Sequence, residues 1–299
     1  HGLAQSYTAS QQKILDGEIG SLYSKYYPPK VYGAAFQNWG GLQGKEGIMF
    51  FCNTDGVLSY DGKTWLLIQT PMQSVVRSLA MDDDGEIFAG ALDDLGYLQK
   101  GNNGGYSYVS LLDKLNPEHH GMGNIWQTYA FDDKIYFESE IGLFCWDGER
   151  FKFWSWPNPK AYHVTFLWNG KIYLQEDGIG LMVLRDDRFE LAPEGSFFKS
   201  MRIYNALPLK NKVVQLATQY NGLFHYDGKN VSRFSTQADK FFNANQIYCG
   251  ISLNDSLYIY GTRLGGAMVV DRNGRISYMI GNRERPPPKK PPWRGPRCR

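Results

Sequence analysis

Aromatic side chains that lie near amide side chains are the residues of this sequence best suited to ligand chemistry. Flat indole and phenol rings stack on the apolar faces of sugar rings, and a few amides fix the orientation of the sugar hydroxyl groups. Most of these aromatics fall on or beside apolar runs that we expect to be innermost strands of a repeated sheet, and two tryptophans lie in a loop that contains proline. The sequence predicts a ligand site drawn from Trp126, Gln127, Tyr129, Trp154, Trp156, Trp168, Tyr204, Asn205 and Tyr248. The competing interpretation places these rings in the core between repeats.

Groups suited to catalysis or to metal binding are sparse. Glu138 and Glu140 alternate along one strand, as the paired carboxylates of a glycosidase could, but the sequence shows no second group that would desolvate them. The three aspartates at 82–84 are consecutive, whereas calcium loops alternate their ligands. The adjacent histidines at 119 and 120 have no Cys or His partner near them. We therefore predict no catalytic residue, no metal site and no cofactor.

An internal repeat supplies the elements that must position the aromatic side chains. A short apolar strand, a turn, a glycine and a second apolar strand recur six times, and three copies end in Asp-Gly. The recurring glycines are separated by 40, 46, 38, 42 and 44 residues: Gly56, Gly96, Gly142, Gly180, Gly222 and Gly266. Glycine at this point permits a positive φ, and Asp-Gly predicts a hairpin into an outer strand. A period near forty residues is typical of a propeller blade, so we predict an all-β fold, a β-propeller of four-stranded antiparallel blades with six blades visible.

The two ends of the chain do not repeat. We expect residues 1–35 to supply a closing strand or a cap, residues 36–280 to form the propeller, and residues 281–299 to be a disordered tail that contains 6 of the 14 prolines. The tail carries seven basic side chains and one glutamate, so the body has a net charge of −4 although the whole chain has +2. A body without a basic stripe indicates that this segment does not bind nucleic acid.

The cysteines and the hydropathy of the sequence indicate buried thiols and no membrane-spanning helix. Cys52, Cys145 and Cys249 each lie in a strand-like apolar run, so we expect three buried free thiols. The sequence contains no apolar run of the length that would predict a membrane-spanning helix.

One phrase of the first repeat is recognisable as a family pattern. It comprises Gln37-Asn38-Trp39-Gly40, Gly47-Ile48-Met49-Phe50-Phe51, Asn53, Gly56-Val57-Leu58-Ser59-Tyr60-Asp61-Gly62 and Trp65, and it resembles the first blade of the two-component regulator propeller family. The stretches Val76-Arg77-Ser78-Leu79 and Leu95-Gly96-Tyr97 resemble the second blade of that family. The resemblance implies the sensor domain of a bacterial transmembrane regulator, positioned in the periplasm or outside the cell. Family propellers usually have seven blades, and some members recognise oligosaccharides.

The resemblance and the lack of a catalytic constellation together favour a binding module. We expect a non-catalytic sensor propeller for signal transduction, whose ligand biases an attached output domain. The implied partners are a small-molecule or oligosaccharide ligand and the downstream signalling domains of the full-length receptor, and a homodimer is an open alternative. Two other functions stay open at this point: a propeller-type polysaccharide lyase or glycosidase, and a scaffold for protein partners.

Overall fold

The computed structural model describes residues 25–102, 104–158 and 163–280. They fall into two compact units, the first within Ser21–Leu191 and the second from Ala192 onward. The predictions for residues 1–24 and for the tail 281–299 lie outside the described residues. Within the described part of the chain, no helix has the length and apolar character needed to cross a membrane.

The first unit contains four blades, each a four-stranded antiparallel sheet whose strands are hydrogen-bonded in chain order. The strands are β1 (Asn38–Gln43), β2 (Met49–Asn53), β3 (Gly56–Tyr60) and β4 (Trp65–Ile68) in blade 1; β5 (Val76–Met81), β6 (Ile87–Ala91), β7 (Leu95–Lys100) and β8 (Tyr106–Ser110) in blade 2; β9 (Gln127–Phe131), β10 (Lys134–Glu138), β11 (Gly142–Trp146) and β12 (Phe151–Ser155) in blade 3; and β13 (His163–Trp168), β14 (Lys171–Glu176), β15 (Gly180–Arg185) and β16 (Arg188–Leu191) in blade 4.

The second unit contains two blades of the same kind. The strands are β17 (Ile203–Leu209), β18 (Val213–Thr218), β19 (Gly222–Tyr226) and β20 (Val231–Phe234) in blade 5, and β21 (Ile247–Asn254), β22 (Leu257–Thr262), β23 (Ala267–Asp271) and β24 (Ile276–Ile280) in blade 6. The predicted fold class is confirmed: the chain is a β-propeller with six four-stranded antiparallel blades.

In the described ranges, helical structure is confined to short connections. Helix α1 (Pro29–Tyr32) precedes blade 1, and helix α2 (Asp239–Asn245) connects β20 to β21. Single turns of 3-10 helix occupy Leu112–Lys114, Pro117–His119, Gly195–Phe198 and Lys210–Lys212.

The recurring glycines lie where predicted, but for two different physical reasons. Gly56 opens β3 with a φ of +139°, in the region that disfavours a side chain. Gly142 opens β11 without a positive φ, and a Cβ there would lie 2.3 Å from the Trp154 carbonyl oxygen of the outer strand. Gly96 is similarly close, at 2.2 Å, to the carbonyl oxygen of Val109. The close approach of the outer strand, rather than backbone freedom, therefore accounts for glycine in blades 2 and 3.

The hydrophobic core lies between successive blades of each unit. One buried cluster joins blades 1 and 2, a second joins blades 2 and 3, a third joins blades 3 and 4, and in the second unit a fourth joins blades 5 and 6. Residues from facing blades in these clusters are Phe50 and Ile87, Phe88 and Phe137, Leu143 and Ile172, and Leu223 and Tyr260. A blade has apolar side chains on both faces, so it buries them only by stacking against its neighbours.

The cysteine prediction needs one correction. Cys52 and Cys145 are buried free thiols, as expected, but Cys249 is exposed on β21. Seven of the eight residues of β21 are at least partly exposed, so the exposure of Cys249 is shared by almost the whole innermost strand of blade 6.

Candidate functional site

Four of the six innermost strands begin with a β-bulge. In blade 1 the partners step from Asn38 opposite Asn53 to Gly40 opposite Cys52, which leaves Trp39 as the extra residue. The same one-residue shift leaves Arg77 as the extra residue in blade 2, Tyr204 in blade 5 and Tyr248 in blade 6. A bulge re-aims the side chain of the extra residue and is over-represented beside functional sites. We call the end of each blade where the innermost strand begins the bulge edge.

Blade 3 presents Trp126 at its bulge edge. Trp126 directly precedes β9, and its backbone N–H donates to the Glu138 carbonyl at 2.8 Å. Glu138 is also the register partner of Gln127, so two consecutive residues face one residue of β10, as at a bulge. The innermost strand of blade 4 shows no register shift.

In the first unit the extra residues of three consecutive blades stack on one another. The Arg77 guanidinium lies 3.8 Å from the ring centroid of Trp39 and 4.9 Å from that of Trp126. Both rings keep solvent-accessible surface, with 37% of Trp39 and 43% of Trp126 exposed. A guanidinium between two indoles is a stable cation–π arrangement that restrains both rings at little entropic cost. We call these three residues the Trp–Arg–Trp stack.

The loop before β9 holds Arg77 of the stack in place through hydrogen bonds. Arg77 donates from Nε to Asn124 Oδ1 at 2.8 Å, and Asn124 donates from Nδ2 to Glu140 Oε1 at 2.7 Å. The Gly123 backbone N–H donates to Asp93 Oδ1 at 2.7 Å, which ties the same loop to blade 2. The carboxylates of Asp93 and Glu140 therefore lie at this bulge edge, and each accepts a hydrogen bond from an uncharged group.

In the second unit the extra residues form a tyrosine pair. The ring centroids of Tyr204 and Tyr248 lie 5.6 Å apart with an interplanar angle of 40°, and 52% of Tyr248 is exposed. Asn205 follows Tyr204 and donates from Nδ2 to the Gly250 carbonyl at 3.0 Å, so it links the innermost strands of blades 5 and 6. The arrangement offers an exposed phenol face beside fixed amides.

An amide and arginine cluster adjoins the tyrosine pair. Gln219 donates from Nε2 to Gln246 Oε1 at 3.2 Å, and Arg263 donates from Nη1 to the same oxygen at 3.5 Å. The Arg263 backbone N–H donates to the Gln246 carbonyl at 3.0 Å. Gln246 directly precedes β21 and has a φ of +62°, a conformation uncommon for a residue with a side chain.

The predicted site residues separate into two groups. Tyr204, Asn205 and Tyr248 come together in the second unit, and Trp126 with the exposed Gln127 lies at the bulge edge of blade 3. Tyr129, Trp154 and Trp156 pack at the interface of blades 3 and 4, and Trp168 is buried against Tyr173 of its own blade. The site proposed below leaves out this second group.

Contacts of the second group are those of core residues. Trp156 is 2% exposed and donates from Nε1 to the Ser139 carbonyl at 2.9 Å. Trp168 is 4% exposed and packs on Tyr173 with ring centroids 5.4 Å apart. Tyr129 donates from its hydroxyl to the Thr165 carbonyl at 2.7 Å, and burial raises the pKa of that phenol well above its usual value.

Four residues at these bulge edges are absent from the site predicted from the sequence: Trp39, Arg77, Gln246 and Arg263. An alignment of the innermost strands supplies a signal for the first two. Trp39, Arg77, Tyr204 and Tyr248 each occupy the second position of such a strand, one residue before the strand resumes regular pairing.

The remaining candidate groups have structural partners. Glu138 is 2% exposed, and its Oε2 accepts from the Thr165 hydroxyl at 2.6 Å, while burial raises the pKa of its carboxyl to about 7. Asp82 accepts from the Gly85 and Glu86 backbone N–H groups within a turn. His119 packs on Phe153 with ring centroids 4.2 Å apart. Among the described residues, no group of three His, Cys, Asp or Glu side chains is placed to hold a metal ion.

Comparison with known proteins gives likeness in fold only. No family model matches the chain, and no curated protein matches it. The extracellular domain of a one-component system of B. thetaiotaomicron is similar at 16% identity and a TM-score of 0.59, over 79% of this chain and 32% of that one. A second extracellular domain from the same organism, of a hybrid two-component system, is similar at 14% identity and a TM-score of 0.50, over 88% of this chain and 42% of that one.

An enzyme has a comparable likeness. Virginiamycin B lyase from Staphylococcus aureus is similar at 13% identity and a TM-score of 0.59, over 81% of this chain and 84% of that one. The chain spans about a third of the length of the first extracellular domain and most of the length of the lyase. At these identities the likenesses show the propeller fold that sensor domains and an enzyme share, and function has to be argued from the site.

Proposed function

We propose that this chain is the ligand-binding part of a bacterial sensor propeller of the two-component regulator type, that it acts outside the cytoplasm, and that it binds an oligosaccharide without catalysing a reaction. The observation that carries the proposal is the set of bulges that present Trp39, Trp126 and Tyr248 with exposed rings. Stacking of sugar rings on such faces supplies affinity, and the neighbouring amides orient the hydroxyl groups.

Two further observations support this function. The Trp–Arg–Trp stack is held by hydrogen bonds through Asn124 to Glu140, so the rings are fixed before any ligand arrives, which lowers the entropic cost of binding. The extracellular domains of B. thetaiotaomicron regulators share the fold. A rigid binding surface of this kind would act on an output domain by favouring one of two receptor states.

The experiment is a binding screen with matched variants. The protein is titrated calorimetrically with oligosaccharides of plant and host polysaccharides, and the double variant Trp39→Ala/Trp126→Ala is compared with Phe131→Ala. Phe131 is a suitable control because it ends β9 at the opposite edge and is also exposed, at 38%. We expect at least one oligosaccharide to bind, the double variant to lose about tenfold or more in affinity, and the control to bind as the unmodified protein does.

An enzyme is the second candidate, because the lyase likeness covers most of both chains. Its test is incubation with the same glycans followed by assays for new reducing ends and unsaturated products. Glu140 and Asp93 are the carboxylates at this bulge edge that an enzyme would use, since Glu138 is buried. Turnover that disappears in Glu140→Gln would overturn the non-catalytic function, and binding without turnover would support it.

A further inference from the structure

We propose that the bulge edge of the second unit binds a sugar that carries a carboxylate, with Arg263 as the partner of the carboxylate and Tyr248 as the stacking surface. The inference rests on the proposed function and adds a ligand class and a location to it. It is carried by the placement of an exposed cation and fixed amides beside the tyrosine pair.

The backbone places Arg263 next to Tyr248. Thr262 is the register partner of Ile247, the residue directly before Tyr248, and Arg263 follows Thr262. The Arg263 backbone N–H donates to the Gln246 carbonyl at 3.0 Å, which closes this corner of blade 6. The side chain of Arg263 and the ring of Tyr248 thus start from adjoining points of one edge, and both are exposed.

Within the described part of the chain, the polar groups around Arg263 leave its charge uncompensated. Its guanidinium donates to Gln246 Oε1, a neutral acceptor, at a long 3.5 Å. Arg263 takes part in none of the ion pairs, up to 4.0 Å, between the residues that the structure describes. Gln219 is 7% exposed and donates to the same Gln246 oxygen, so that the Gln246 side chain is held from both sides. An arginine fork next to fixed amides suits a carboxylate, which accepts charge-assisted hydrogen bonds.

The first unit offers a different environment at its bulge edge. Arg77 is covered by two indoles and donates to Asn124, and the carboxylates of Asp93 and Glu140 stand beside that loop. Like charges disfavour an anionic ligand at close range. We therefore assign the acidic sugar to the second unit and uncharged sugar rings to the Trp–Arg–Trp stack.

The experiment uses probes that differ only in the carboxylate. Oligogalacturonides and glucuronate-containing oligosaccharides are titrated against the full chain, each beside its carboxyl-reduced counterpart, at low and high salt. Variants are Arg263→Gln, Arg263→Lys, Tyr248→Ala and the control Arg275→Gln. Arg275 is an exposed arginine in the β23–β24 turn at the opposite edge of the same blade. Thermal unfolding checks that each variant is folded.

We expect an acidic probe to bind more tightly than its reduced counterpart and to weaken with added salt. Arg263→Gln should lower its affinity about 10- to 100-fold, the range for one hydrogen bond to a charged group, with partial rescue by Arg263→Lys and no change in the control. Tyr248→Ala should weaken acidic and neutral probes alike.

The contradicting outcomes separate the two proposals. If only the carboxyl-reduced probes bind, the acidic-sugar site is wrong and the binding function stands. An acidic probe whose affinity is the same in Arg263→Gln also overturns the site. If no probe of either kind binds in this panel or in the wider screen, both proposals are wrong.

Discussion

The carboxyl group of Glu138 lies at the interface of blades 3 and 4 and makes the stability of the protein depend on pH. Glu138 ends β10, is 2% exposed, and accepts at Oε2 from the Thr165 hydroxyl at 2.6 Å and from the Thr165 backbone N–H at 3.2 Å. Burial raises the pKa of this carboxyl to about 7, and the two hydrogen bonds from Thr165 oppose that rise. The perturbation that tests this is Glu138→Gln, which keeps an oxygen acceptor and removes the charge.

The sign and the size of the effect follow from the shift. The folded pKa of Glu138 lies above its value of 4.5 in the unfolded chain, so the folded state binds the proton more tightly. The free energy of unfolding therefore falls as the pH rises, and the loss is complete once the pH exceeds about 7. One pKa unit corresponds to about 1.4 kcal/mol, so the contribution lost between pH 5 and pH 9 is about 2–3 kcal/mol.

The assay is urea unfolding of the unmodified protein and of Glu138→Gln at pH 5 and pH 9. We expect the difference in free energy of unfolding between variant and unmodified protein to shift by about 2–3 kcal/mol in favour of the variant at the higher pH. Glu149→Gln is the matched control, because that carboxylate is fully at the surface of the β11–β12 turn. A difference between Glu138→Gln and the unmodified protein that does not change with pH would refute the reasoning.

Three other predictions concern burial and close packing. His225 accepts at Nε2 from Gln215 at 2.9 Å and has a pKa lowered by burial, so the free energy of unfolding should fall as the pH drops below about 6.5; His225→Phe should remove that slope in a pH series of thermal unfolding. Gly142→Ala should destabilise the protein by about 1–3 kcal/mol in urea unfolding, because the new Cβ would lie 2.3 Å from a carbonyl oxygen of β12; an unchanged midpoint would contradict that packing. Cys249 should react with a thiol reagent in the folded protein, whereas Cys52, whose pKa burial raises to about 12, should react only after unfolding.

The blades could be predicted from the sequence because their signals are local. The glycine near the start of the third strand and the Asp-Gly turns recur at nearly constant spacing. Each results from a constraint between residues that are close in the sequence. In the structure Asp61, Asp147 and Asp227 each accept two backbone N–H groups across the predicted hairpin turn, which lowers the pKa of each carboxyl. These hydrogen bonds form within a single turn, so they can be predicted without reference to the neighbouring blade.

The candidate site could be predicted only in part, because it depends on register and on contacts between blades. A bulge inserts one residue into a strand, and the inserted Arg77 looks like any other strand residue in the sequence. Whether an aromatic faces solvent or the next blade is set by the partner blade. For that reason Trp126 and Trp156 are alike in the sequence but differ in exposure, at 43% and 2%.

The most direct test of the central claim is fluorine NMR of protein labelled with 5-fluorotryptophan. The chain contains 8 tryptophans, and single Trp→Phe variants would assign the resonances of Trp39, Trp126, Trp156 and Trp168. On addition of an oligosaccharide that binds in the calorimetric screen, the proposed site predicts shifts at Trp39 and Trp126. The resonances of the buried Trp156 and Trp168 should stay in place. For an uncharged oligosaccharide, shifts confined to the buried pair, or binding that moves neither exposed ring, would contradict a ligand site at the Trp–Arg–Trp stack.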